Sequence, residues 1–141
     1  MKILLTGATG LIGKELGKAL VANGHEVISV SRSATKAKKL LPYQTEVVEW
    51  LGEDVFPASI ISKVDGVIHL MGENIADERW TAPVKKRLVD SRVNATRFLK
   101  QACESRPEKL KFWIQGSAIG YYGDSEQENI FTEESHAGEG F

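Results

Sequence analysis

With 141 residues, 42% of them hydrophobic, the chain is long enough for one domain with its own core. Its 18 basic and 19 acidic residues leave a formal charge of -1, so nucleic acid and anionic membranes have no electrostatic hold on it, and a small soluble ligand fits better. The one cysteine, Cys103, excludes an internal disulfide framework and a cysteine-cluster metal site. It suits a reducing compartment. No apolar stretch approaches the roughly 20 residues that span a bilayer, and the opening run Ile3-Leu4-Leu5 is broken at Thr6 and Gly7 before it can form a signal-peptide core. The expected location is the cytoplasm.

A first strand is predicted over Lys2–Thr6, then a helix over 11–23 with Leu11, Ile12, Leu16, Ala19 and Leu20 on one face and Gly24 placed to end it. A second strand covers 26–30, a short basic helix over 35–41 is stopped by Pro42, and 45–50 reads as a third strand. Residues 54–63 read as a helix or turn. Asp65-Gly66 opens a fourth strand over 67–70, whose unbroken apolar character predicts burial on both faces. A long helix over 81–105 has Pro83 in its first turn and Val84, Leu88, Val93, Phe98, Leu99 and Ala102 as its buried stripe. A fifth strand, 110–115, ends at Gly116-Ser117, and the remainder is loop-like.

Strands alternating with helices are the sequence form of a parallel sheet with crossover helices. Five strands with right-handed crossovers give an α/β, Rossmann-like, doubly wound sheet of order 3-2-1-4-5. Neither a repeat nor a linker divides the chain, so 1–141 is expected to form one dinucleotide-binding domain. The usual fold adds at least one more strand, whereas Gly138-Glu139-Gly140-Phe141 closes no helix or strand. The sheet is therefore expected to be incomplete at its C-terminus, and the chain to be the N-terminal part of a longer protein.

Gly7-Ala8-Thr9-Gly10-Leu11-Ile12-Gly13 is Gly-x-x-Gly-x-x-Gly, set directly between a strand and an amphipathic helix. Gly7 permits the sharp exit from the strand, Gly10 lets amides approach a pyrophosphate, and Gly13 allows close helix-to-strand packing. The helix start, at Leu11 and Ile12, supplies unpaired N–H donors and the positive end of the macrodipole, and Thr9 adds a hydroxyl. A triphosphatase loop needs Gly-Lys-Ser/Thr, and here Gly13-Lys14 is followed by Glu15.

At the end of the second strand an acidic residue selects the ribose hydroxyls of NAD, and a cation selects the 2'-phosphate of NADP. Here that tip reads Ser31-Arg32-Ser33, a guanidinium fork between two hydroxyls with no Asp or Glu competing at the tip. NADP(H) is therefore expected over NAD(H). Gly72, at the carboxyl end of the fourth strand, lets backbone come close to a ligand there. His69, inside an apolar strand, reads as a hydrogen-bonded core histidine rather than a catalyst.

These elements resemble the extended and atypical branches of the short-chain dehydrogenase/reductase superfamily, the NAD-dependent epimerase/dehydratases. More narrowly they resemble a bacterial subgroup described as nucleoside-diphosphate-sugar epimerases or as cell-division-inhibitor-like proteins. The resemblance is carried by 7–13, by Val67-Ile68-His69-Leu70-Met71-Gly72-Glu73-Asn74-Ile75-Ala76, by Arg79-Trp80-Thr81, Lys86-Arg87 and Ser91-Arg92-Val93, and by Gly116-Ser117-Ala118-Ile119-Gly120-Tyr121-Tyr122-Gly123-Asp124. It implies that Leu70, Met71 and Gly72 lie against the cofactor and that Ser117 is the catalytic serine, which hydrogen-bonds the substrate oxygen. Tyr121 and Tyr122 either line a substrate pocket or pack internally.

Two departures stand out. Members of this superfamily usually pair a tyrosine with a lysine four residues on, which lowers the phenol's pKa. Tyr43, Tyr121 and Tyr122 are followed at that spacing by Val47, Ser125 and Glu126; the resemblance implies that the pair would fall beyond Phe141 in full-length relatives, and in the subgroup the tyrosine is often replaced. Arg92 stands where extended members often carry an asparagine, and is assigned to a phosphate or carboxylate of the cofactor site. Two functions stay open: an NADP(H)-dependent epimerase, dehydratase or reductase acting on a small molecule such as a nucleotide sugar, and an NADP(H)-binding regulator without turnover.

Overall fold

The structure is a computed structural model and describes residues 1–123 and 130–138; Asp124, Ser125, Glu126 and residues 139–141, named above, lie outside the described residues. Five strands, β1 (Lys2–Thr6), β2 (Glu26–Ser31), β3 (Glu46–Glu49), β4 (Gly66–His69) and β5 (Phe112–Gln115), form one sheet of order β3-β2-β1-β4-β5. Every pairing is parallel, with Leu4 opposite both Ile28 and Val67 at the centre. The order is the one the alternation of elements predicts.

Alternating residues of the central strands divide between two cores. Leu4, Ile28, Val30 and Val67 face one side and pack with Trp50, Phe56 and Leu99, whereas Ile3, Leu5, Val27 and Ile68 face the other and meet Leu16, Leu20 and Val21. Both faces of β1 and β4 are thus buried, as a parallel sheet flanked by helices requires. The first cover is α1 (Leu11–Ala22), which ends at Gly24 with φ +76°. His25 N–H donates to the Leu20 carbonyl and Gly24 N–H to that of Val21, which satisfies the last turn's carbonyls.

The remaining helices are α2 (Ala34–Leu40), α3 (Ala58–Ile61) and α4 (Ala82–Glu104), with a 3-10 turn, η1, at Ile119–Tyr122 where the sequence reads as loop. Residues 54–63 resolve into a loop followed by that single turn of α3. In the loop, Trp50 leaves β3 to bury itself against Phe56, edge to face at 5.2 Å, and donates its indole N–H to the Asp54 carbonyl.

Two expected faces are corrected. Leu11 and Ile12 are 84% and 69% exposed, because the first turn of α1 projects beyond the sheet and looks over the strand ends rather than down onto the core. On α4 the buried stripe is Val84, Leu88, Ala95, Leu99 and Ala102, while Val93 is 57% exposed. Five residues past Leu88 is roughly 140° around a helix of 3.6 residues per turn, so Val93 leaves the stripe that Ala95 occupies.

Candidate functional site

The carboxyl ends of β1, β4 and β5 open into a cleft of about 660 Å³ at the switch point of the strand order, where open α/β sheets bind ligands. On one side stands the glycine turn. Gly7 has φ +68°, and a Cβ there would lie 2.7 Å from the Leu70 carbonyl oxygen, so the turn packs directly on the chain leaving β4. A Cβ on Gly13 would meet Gly7 O at 2.2 Å, which leaves no side chain between α1 and the strand exit. Gly10 caps α1 with no side-chain bond to its first amides. Those donors remain for a ligand, at the positive end of a twelve-residue helix.

The floor is the segment 70–72, held by Thr6. Its Oγ1 accepts the Leu70 and Met71 N–H groups, each at 3.2 Å, and lies 2.6 Å from Nδ1 of His69. With both lone pairs occupied, the hydroxyl donates its proton to His69, which fixes Nδ1 as acceptor and places the ring hydrogen on Nε2. His69 is fully buried, and burial pushes its pKa down to about 4, so the ring is neutral at pH 7. It is a core histidine with a hydrogen bond, as its strand position suggests. Thr6 carried no sequence signal beyond its place in a strand; only the contact across 64 residues to Leu70 reveals its role.

Arg92 reaches the cleft from α4 and is its one charged lining side chain among the described residues. The guanidinium lies over Gly72, whose Cβ would stand 2.9 Å from Cζ. The bare Cα expected to admit a ligand instead admits Arg92. Opposite the glycine turn, the chain leaving β5 supplies Gln115, Gly116, Ser117 and Ala118, with Gly116 N–H donating to the His69 carbonyl at 2.9 Å. Ser117 is exposed there. Tyr121, 55% exposed, closes the same wall, whereas Tyr122 turns away and stacks on Phe131 at 5.1 Å.

The cleft therefore brings together Gly7, Gly10, Leu11, Ile12, Gly13, Leu70, Met71, Gly72, Arg92, Ser117 and Tyr121, residues up to 114 positions apart in the chain. Thr9, Ser31, Arg32, Ser33 and Tyr122 lie outside its lining. His69, Gln115, Gly116 and Ala118 join it without having been assigned to the site. At the tip of β2, Ser31 Oγ accepts Ser33 N–H at 3.4 Å and Ser33 caps α2 through Lys36 N–H. The structure corrects one premise here: Glu49, at the end of the neighbouring β3, accepts Ala34 N–H at 2.8 Å, so a carboxylate stands beside the Arg32 segment after all.

A sequence profile of the NAD dependent epimerase/dehydratase family matches residues 3–140. The epimerase family protein YfhF of Bacillus subtilis is 39% identical over 136 residues, which cover 96% of this chain and 43% of that protein. The chain thus spans under half the length of such relatives. The human epimerase family protein SDR39U1, solved with NADPH, superposes with a TM-score of 0.77 at 30% identity, over 97% of this chain and 43% of that one. The UDP-glucuronic acid 4-epimerase of Bacillus cereus, solved with UDP-glucuronic acid and NAD, has a TM-score of 0.79 at 24% identity, over 97% and 46%, a likeness of fold. Sheet order, glycine turn and profile agree: the chain belongs to the NAD-dependent epimerase/dehydratase family.

Proposed function

We propose that residues 1–141 form the cofactor-binding part of an NADP(H)-dependent epimerase, dehydratase or reductase of the extended short-chain dehydrogenase type, acting in the cytoplasm on a small molecule such as a nucleotide sugar. The observation that carries this reading is the cleft itself: uncapped amides of α1 and a single unneutralised guanidinium, Arg92, line one cavity that holds no carboxylate among the described residues. Such a surface fits a diphosphate. Gly7 to Gly13 cradle it, with Thr9 at the rim, and 70–72 run beneath the neighbouring ribose.

Arg32, with Ser31 and Ser33, takes the 2'-phosphate, and Glu49, which accepts Ala34 N–H but keeps its charge, weakens that preference. Ser117 donates its hydroxyl proton to the substrate oxygen, and Tyr121 offers the substrate a flat face and a hydroxyl. A bound nicotinamide supplies hydride transfer. NADPH in the human relative, and UDP-glucuronic acid with NAD in the bacterial structure, make nicotinamide dinucleotides and UDP-sugars the first ligands to try.

Calorimetric titration with NADPH and NADH tests the reading. NADPH is expected to bind more tightly, and Arg32→Ala to weaken NADPH about tenfold while leaving NADH within about twofold, the difference expected of a charge-assisted bond. Binding of neither nucleotide removes the reading; preference for NADH removes the role of Arg32. A second reading is an NADP(H)-binding regulator without turnover; among residues 1–141 none of Tyr43, Tyr121 and Tyr122 has a lysine four residues on. Tight NADPH binding by the whole protein, with no epimerisation or hydride exchange on any UDP-sugar tried, would favour it.

A further inference from the structure

The guanidinium of Arg92 is held from several sides. NH1 donates to the Leu88 carbonyl, one turn back on α4, at 3.0 Å and to Ser91 Oγ at 3.4 Å, and NH2 donates to the Glu73 carbonyl at 3.0 Å. Beneath it lies Gly72, where a Cβ would stand 2.9 Å from Cζ and 3.1 Å from Nε. Any other residue at 72 would push the guanidinium aside.

Glu73 is in turn fastened to α4 at two further points. Its N–H donates to Ser91 Oγ at 3.1 Å, and its carboxylate accepts from Arg87 Nε at 3.3 Å and NH2 at 3.0 Å. Ser91 spends its own proton on the Leu88 carbonyl at 2.9 Å, so its oxygen is free to accept from Glu73 and Arg92. Carbonyls satisfy hydrogens but do not cancel charge. With the Glu73 carboxylate committed to Arg87, Arg92 forms no ion pair among the described residues. A guanidinium has five N–H donors in one plane; the backbone engages part of that fork, and the remainder and the full charge line the cleft.

We propose that Glu73 and Ser91 are positioning residues: with Gly72 and the Leu88 carbonyl they fix the plane of Arg92 so that its remaining donors meet an oxyanion of the ligand, either the diphosphate of the dinucleotide or a phosphate of the substrate. The inference rests on the reading that a dinucleotide and an anionic substrate share this cleft. It adds a frame to it: the cation is pre-aimed by main-chain acceptors, so binding does not have to order a long, flexible side chain.

The test is a double-mutant cycle. NADPH and, separately, UDP-glucuronic acid are titrated into the wild type, Ser91→Ala, Arg92→Ala and the double variant, with the thermal midpoint of each recorded to show that it is folded. Arg92→Ala is expected to weaken one of the two ligands about tenfold, and the ligand affected identifies the source of the oxyanion. Ser91→Ala is expected to weaken the same ligand about threefold in the wild type and not at all in the Arg92→Ala background, because its effect passes through Arg92. Arg92→Lys restores little, since one ammonium cannot keep both carbonyl bonds and still present a fork. A loss from Ser91→Ala that persists undiminished without Arg92 overturns the positioning role. Arg92→Ala that leaves both ligands unchanged overturns the role of the guanidinium, and a wild type that binds neither ligand removes the underlying reading and the proposal with it.

Discussion

His69 is buried without an ion pair among the described residues, and burial holds its imidazole in the neutral form. In an unfolded chain it takes a proton near pH 6.5; in the fold, burial lowers that to about 4. Above pH 6.5 both states are neutral and the stability is fully present. As pH falls from 6.5 to 4 the unfolded state binds a proton that the fold excludes, and stability is lost by on the order of 3 kcal/mol; below 4 both states are protonated and the loss stops. Urea midpoints of the wild type should fall across that window, and those of His69→Gln should fall less. Equal slopes would show that other groups set the acid limit. Thr6 supports the same ring from the other side, and its two amide bonds make the floor of the cleft depend on one hydroxyl.

At the level of elements, α4 tests how periodicity converts to burial. Leu99 is fully buried in the larger core, whereas Val93, assigned to the same stripe by spacing, faces outward. Leu99→Ala is therefore expected to cost about 2–5 kcal/mol, the range for a large-to-small change in a packed core. Val93→Ser should stay within about 0.5 kcal/mol, as for an unconstrained surface position. Thermal and urea unfolding of the two variants decide it; a large loss from Val93→Ser would mean that this face is covered in solution. The first turn of α1 makes the same point from the functional side. Leu11 and Ile12 have apolar side chains on a predicted core face, yet they border the cleft, because a helix that presents its amides to a ligand must project past the strand that feeds it.

Across the whole molecule the sheet has two unlike edges. On β3 the exposed residues are Glu46 and Glu49, charges that discourage pairing with another chain. On β5, no strand pairs with the outer edge among the described residues, and Ile114 is 52% exposed. Ile114→Lys is expected to reduce self-association of the 141-residue chain, measured by light scattering against concentration, while shifting stability by no more than about 0.5 kcal/mol. Scattering that does not change would place any association elsewhere.

The architecture was legible in the sequence because its signals are local. Apolar runs, their spacing, Gly24 and Pro42 specify where strands and helices begin and end. Right-handed crossovers then leave little choice of strand order. The glycine turn was legible for the same reason, since strand, turn and helix start follow one another directly within residues 2–13. What only the tertiary structure decided are contacts between residues far apart in the chain: Thr6 under Leu70, Arg92 over Gly72 and against Glu73, Glu49 beside the Arg32 segment, and Tyr121 rather than Tyr122 in the wall. Each depends on how two elements are turned against one another, a quantity set by packing across the sheet and carried by no local pattern.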